Sequence, residues 1–128
     1  MSYLLDTHTF LWFVEGNKQL PQNIISRINN INQSCYISIA SFWEIAIKLQ
    51  LGKLELDIEF NELFKFAQRN QIEIIEISEL HLMALLDLEP HHKDPFERLI
   101  ISQSIVENLT LLSKDTQMSK YKIQLQWE

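Results

Sequence analysis

Short apolar runs alternate with stretches of helical periodicity along the whole of this 128-residue chain. Tyr3-Leu4-Leu5, Cys35 to Ile39, Ile72 to Ile77 and Thr110 to Leu112 read as strands, and Ile123 to Trp127 as a short fifth one. Strands that take turns with helices in this way are the signature of a parallel α/β sheet. The expected architecture is therefore a three-layer α/β/α sandwich around a parallel sheet of four to five strands. The length fits one domain over residues 1–128. A chain of this size buries roughly two thirds of its unfolded surface, so it needs no disulfide or structural metal to fold.

Between the strands the helix signals are local. Thr7 to Glu15 is helical, with Gly16 able to end it. Pro21 suits a first helical position, and Ile24, Ile25, Ile28 and Ile31 follow at helical spacing. Ser41-Phe42-Trp43-Glu44 has the form of a capping box, which would start a helix that runs to Leu51 and stops at Gly52. Glu59 to Gln68 places Phe60, Leu63, Phe64 and Ala67 along one face. Ser78 caps a helix to Leu88, which Pro90 closes, and Asp94-Pro95-Phe96-Glu97 opens a helix to Asn108. Trp12, Phe13, Phe42 and Trp43 fall on helices and are expected to pack on the sheet or at a dimer contact.

Two acids lie just past strands: Asp6 after the first and Asp115 after the fourth. Open parallel sheets build their sites outside the carboxyl ends of the strands, where strand order reverses. If the first and fourth strands are neighbours, Asp6 and Asp115 face each other. Glu44 and Glu97 sit early in flanking helices, and Asp94 stands at the entrance to the second of these. Clustered carboxylates repel and raise one another's pKa unless a counter-charge is present. Mg²⁺ and Mn²⁺ prefer oxygen ligands and resolve that repulsion. Two such ions about 4 Å apart can activate a water and stabilise a leaving oxygen in phosphodiester hydrolysis.

Each acid also has a purely structural reading. Asp6 and Asp94 stand where helix caps stand, Glu44 and Glu97 at the third position of a capping box, and Asp115 in a turn. The small hydroxyl residues Thr7, Ser41 and Ser113 lie beside these acids in sequence, with capping as their default role. His8 reads as packing or substrate-adjacent. His91 and His92 are adjacent, point different ways and make a poor paired metal site. Cys35, the only cysteine, opens a buried strand and is expected to be inert.

Composition narrows the function. Lys and Arg number 11 against 17 Asp and Glu, a net charge of −6, which argues against a general polyanion binder. Setting aside Asp6, Glu44, Asp94, Glu97 and Asp115 leaves 12 acids against 11 bases. The excess negative charge thus belongs almost wholly to the candidate pocket, and two divalent ions would bring the chain to −2. One cysteine permits no intrachain disulfide and fits a reducing compartment. The start, Met1 to Val14, lacks a basic segment and is interrupted by Asp6, so it does not read as a signal peptide. No apolar run approaches the ~20 residues that span a bilayer. A cytoplasmic location away from membranes is expected.

Four segments carry a resemblance. Leu5-Asp6-Thr7-His8, Ser41-Phe42-Trp43-Glu44-Ile45-Ala46 with Lys48 and Gly52-Lys53-Leu54, His92 through Gln103, and Leu112-Ser113-Lys114-Asp115 together resemble a PIN domain. More narrowly, they resemble the VapC-type ribonuclease toxins of toxin–antitoxin pairs. The resemblance spans nearly the whole chain in the right order. It implies endoribonuclease activity dependent on one or two Mg²⁺ or Mn²⁺ ions, a small antitoxin that blocks the site, and a homodimer. It places the first acid at Asp6, the second at Glu44 and the last at Asp115, with the third in Asp94-Pro95-Phe96-Glu97. Relatives carry Asp at both ends of that third motif. Here Glu97 stands at the second end, and its extra methylene lengthens the carboxylate's reach. Arg98, Lys48 and Lys114 lie near the acids in sequence and are candidates for RNA phosphate contacts.

Three other readings share part of the pattern. A phosphoacceptor receiver domain requires an acceptor Asp at the end of the third strand, where this chain has Ile77-Ser78-Glu79. A haloacid-dehalogenase-type phosphatase requires a second Asp two residues after the first, where His8 stands. A PIN-like binding module without activity would keep the fold, but retention of all four acidic positions argues against it.

Overall fold

The structure is a computed structural model that describes residues 1–127. Five strands form one all-parallel sheet: β1 (Ser2–Leu5), β2 (Ser34–Ser38), β3 (Ile72–Ile75), β4 (Thr110–Leu112) and β5 (Leu125–Gln126). Their order is β3-β2-β1-β4-β5. The chain starts in the middle, builds outward to β3, then returns to lay β4 on the other side of β1. The order therefore reverses between β1 and β4, which pair directly with Leu5 opposite Leu112. Six helices connect the strands: α1 (Thr7–Glu15), α2 (Gln22–Asn29), α3 (Ile39–Gln50), α4 (Phe60–Arg69), α5 (Glu79–Leu86) and α6 (Pro95–Val106). This is the three-layer parallel architecture expected from the alternating pattern.

The central strand shows why the strand runs are continuously apolar. Tyr3, Leu4 and Leu5 are all fully buried. Successive side chains point to opposite faces. Tyr3 and Leu5 join a core with Phe10, Ile24, Ile37, Ile45 and Leu63, while Leu4 joins a second core with Ile100, Ile101, Leu111 and Met118. The first core packs α1 to α4 on one side of the sheet. The second packs α6 on the other, with α5 lying against α6. Among the described residues no helix is long and apolar enough to cross a membrane.

Several boundaries differ from the sequence reading. Ser38, not Ser41, caps α3: its side chain accepts the Ala40 N–H at 3.0 Å, and Ile39 already belongs to the helix. Two serines three residues apart offer the same local signal, and the sheet decides by ending β2 at Ser38. Ser41 is fully buried inside α3 instead. The Ser38→Ala variant should lose about 1 kcal/mol of stability in chemical denaturation, the usual value of a serine cap. Pro21 is the N-cap of α2 and not its first residue, and Ile31 lies past the helix, 87% exposed. β3 stops at Ile75, β5 has two residues, and α5 and α6 end at Leu86 and Val106. A 3₁₀ turn at Thr116–Lys120 that the sequence did not signal follows β4. Trp43 is 56% exposed and meets Phe96 edge-on, so it is not a core residue.

Candidate active site

The pairing of β1 with β4 brings the chain segments after both strands to one place. The Asp6 N–H donates to the Leu112 carbonyl at 3.2 Å, and the Thr9 hydroxyl donates to the same oxygen at 2.9 Å. Asp6 caps α1: its Oδ1 accepts the Thr9 N–H at 2.8 Å. Its Oδ2 accepts the Ser113 hydroxyl, so the carboxylate is held from both strands' ends. Asp6 is 3% exposed, and burial pushes its carboxyl above the ordinary value against the opposing hydrogen bonds of Ser113 and Thr9.

Glu44 comes from the second turn of α3 and is also buried. Its Oε1 accepts the Thr7 hydroxyl at 2.7 Å, and its Oε2 accepts the Lys48 ammonium at 2.8 Å. Ser41 Oγ lies 2.9 Å from the Thr7 hydroxyl. The capping-box partner expected for Glu44 thus serves a different end: Thr7 and Ser41 orient it across the α1–α3 contact.

The third motif enters from α6. Asp94 caps that helix, with its Oδ1 accepting the Phe96 and Glu97 N–H groups at 2.9 and 3.1 Å. Glu97 stands one turn in, 6% exposed, and its buried Oε2 has no hydrogen-bond partner. Burial, then the charges of Asp6, Glu44, Asp94 and Asp115, push its carboxyl up to about 9. The last acid, Asp115, caps the 3₁₀ turn through Oδ1, which accepts the Gln117 N–H at 2.9 Å. Its N–H donates to Ser113 Oγ at 3.0 Å.

Asp6, Glu44, Asp94, Glu97 and Asp115 line one cavity of about 460 Å³, together with Lys48, Lys114, His8, His92, Trp12 and Thr116. Three of the five acids are also N-caps, so the capping reading and the shared pocket hold together. The N-termini of α1 and α6 open toward the same carboxylates, and their partial positive charge offsets some of the repulsion.

The chemistry of this donor set fits a hard divalent cation. Every acid offers carboxylate oxygen, and Glu97 presents a buried oxygen that no protein group satisfies. As the side chains stand, no three His, Cys, Asp or Glu groups among the described residues are gathered closely enough to grip an ion. Glu44 is turned to Lys48, so loading an ion requires a small movement of that side chain.

The cations divide. Lys48 and Lys114 line the cavity. Arg98 instead donates to the carbonyls of Leu88, Glu89 and His92 at 3.0–3.2 Å, which ties down the loop before α6. Lys114 Nζ sits 5.5 Å from the centre of the Trp12 ring, and Trp12 meets Trp127 at 6.0 Å. Trp12 therefore stands at the cavity rim as well as against the core. His92, which from sequence reads only as a poor paired metal ligand with His91, places its Nε2 2.7 Å from Asp115 Oδ2. Its adjacency to His91 says nothing of a partner 23 residues away. His91 turns elsewhere, to Glu89. His81, also outside the cavity, closes a capping box with Ser78 at the start of α5. Cys35 is buried, and burial pushes its thiol up to about 11, as suits an inert residue.

The PIN domain family profile matches residues 3–124. No match to a curated protein was found. Among solved structures, the chain is similar to VapBC2 from Rickettsia felis bound to a DNA fragment from its promoter, with a TM-score of 0.76, 19% identity and 100% of each chain covered. DNA-bound VapBC from Salmonella typhimurium gives 0.71 at 14% identity, over 98% of this chain and 97% of that one. A toxin–antitoxin complex from Klebsiella pneumoniae gives 0.66 at 15% identity, over 97% and 95%. At these identities the likeness is one of fold. With the profile covering nearly the whole chain and the sheet order, helices and acidic cavity in place, the chain belongs to the PIN domain family.

Proposed function

We propose that this PIN domain is a divalent-metal-dependent endoribonuclease, the toxin of a VapBC-type pair, held in check by a small antitoxin. The observation that carries the reading is the single cavity lined by five carboxylates, with one buried carboxylate oxygen left without a partner. An RNA backbone is itself anionic, so a cavity of this charge becomes a binding site only when divalent cations neutralise it. The likeness to VapBC structures and to a toxin–antitoxin complex supports the antitoxin partner.

Asp6, Glu44, Glu97 and Asp115 would hold one or two Mg²⁺ or Mn²⁺ ions, with Asp94 fixing the start of α6 beneath Glu97. When bound, the ions supply an activated water and charge stabilisation at the departing 3′ oxygen. The chain's own residues do the rest. Thr7 and Ser113 fix the Glu44 and Asp6 carboxylates through their hydroxyls. Lys48 and Lys114 offer ammonium groups at the cavity for flanking phosphates, while Arg98 secures the loop that carries His92.

Purified protein should cut labelled RNA in Mn²⁺ or Mg²⁺ and stop on addition of chelator. Cleavage should weaken as salt rises, since phosphate contacts release counterions. Full activity in chelator would refute the metal-dependent reading. Mn²⁺ binding without cleavage of any RNA tested would leave a PIN-like binding module. For the toxin assignment, expression should arrest growth and a co-expressed cognate antitoxin should restore it.

A further inference from the structure

His92 lies outside the expected ligand set, yet all its hydrogen-bonding groups are engaged. Its N–H donates to the Tyr121 hydroxyl at 2.8 Å, and that hydroxyl donates to the Glu89 carbonyl at 2.7 Å. Its carbonyl accepts from Arg98 at 3.2 Å. In the ring, Nδ1 accepts the Asp94 N–H at 3.1 Å. An acceptor nitrogen carries no proton, so the proton of the neutral ring sits on Nε2, which donates to Asp115 Oδ2 at 2.7 Å. The backbone of the residue is thus pinned from two elements, its tautomer is set by a third contact, and one N–H is left to aim. The His92 side chain is 14% exposed and that of Asp115 31%, so the bond is shielded mainly on the imidazole side.

That bond joins two parts of the cavity, beside the Tyr121 hydroxyl that ties the same loop to the residue following the 3₁₀ turn. Asp94 and Glu97 arrive on the start of α6, and Asp115 arrives on the 3₁₀ turn after β4. Asp115 has its Oδ1 occupied by the Gln117 N–H. With Oδ2 taking the imidazole N–H, both oxygens are oriented, and each retains a lone pair for a further partner. We propose that His92 is a positioning residue that orients Asp115 toward α6 for binding a divalent cation. The inference rests on the metal-dependent reading given above.

Mn²⁺ titration calorimetry on the full chain tests it, with thermal unfolding of the metal-free proteins alongside. Phe at position 92 fills the space without a donor. Gln can present a side-chain N–H toward Asp115. The His92→Phe variant should bind Mn²⁺ about tenfold to a hundredfold more weakly, the usual effect of losing a group that orients a ligand. His92→Gln should recover most of that affinity, and both should melt close to the parent. Parental affinity in His92→Phe would overturn the inference while leaving the metal site standing. Equal losses in the Phe and Gln variants would also overturn it, since the N–H would then not be the working part. Absence of Mn²⁺ binding by the parent itself would overturn the metal-dependent reading, and this inference with it.

Discussion

Asp6→Asn should fold as the parent does and cut RNA about a hundredfold to a thousandfold more slowly, the range for removing one preorganised electrostatic group from a reaction centre. The substitution is chosen for what it keeps. Asparagine caps a helix as well as aspartate does, so the Thr9 N–H retains its acceptor and α1 its start. What it loses is the charge at the point where the ends of β1 and β4 meet. The Ser113 hydroxyl, which now donates to Asp6, can turn to accept from the new amide. Single-turnover cleavage with saturating Mn²⁺, together with circular dichroism, checks the prediction. A well-folded variant with parental cleavage rates would remove Asp6, and with it the metal-site reading, from the mechanism.

Glu97→Gln should do something opposite in the absence of metal: it should stabilise the fold. The unfolded carboxyl titrates near 4.5 and the folded one near 9. Below 4.5 both states hold the proton. Between the two values the folded chain keeps a proton that the unfolded chain has released, so stability falls as pH rises through that window. The lost stability at pH 7 is on the order of 3 kcal/mol, at 1.36 kcal/mol per pH unit. A glutamine does not titrate, and its amide N–H can donate to the surrounding carboxylates where Oε2 has no partner. The metal-free variant should therefore melt about 5–10 °C above the parent near neutrality. The gap should widen from pH 5 to pH 8 and narrow when Mn²⁺ is added to the parent. Melting temperatures that coincide at both pH values would show that Glu97 is not strained by its surroundings.

The legibility of this molecule divides along the reach of its signals. Tyr3-Leu4-Leu5 announced a strand because both faces of β1 are buried, and burial on both faces removes polar residues. Asp6 and Asp115 were placed correctly after strands because a parallel sheet puts all its carboxyl ends on one rim. The α3 cap was misplaced by three residues because Ser38 and Ser41 are locally alike, and only the end of β2 distinguishes them. The structural alternative for Glu44, a capping box with Ser41, is not formed, because its partners Thr7 and Lys48 lie on a different element and one turn on. Contacts of that kind leave no periodic trace. The bond from His92 to Asp115 leaves none either, being set by the approach of a loop to a turn.

The neighbours at the heart of the sheet are far apart in the chain: the hydroxyl that Asp6 accepts belongs to a residue 107 positions later. Contacts of such long sequence separation form late, because the closure entropy must be met before they reward it. The cavity therefore cannot assemble piecemeal. β1, β2 and β3 with the helices between them carry only two of the five acids, Asp6 and Glu44, and α6 and the turn after β4 bring the other three. The pairing of β4 with β1 extends the sheet and completes the acidic rim in the same event, so the fold and the cavity stand or fall together.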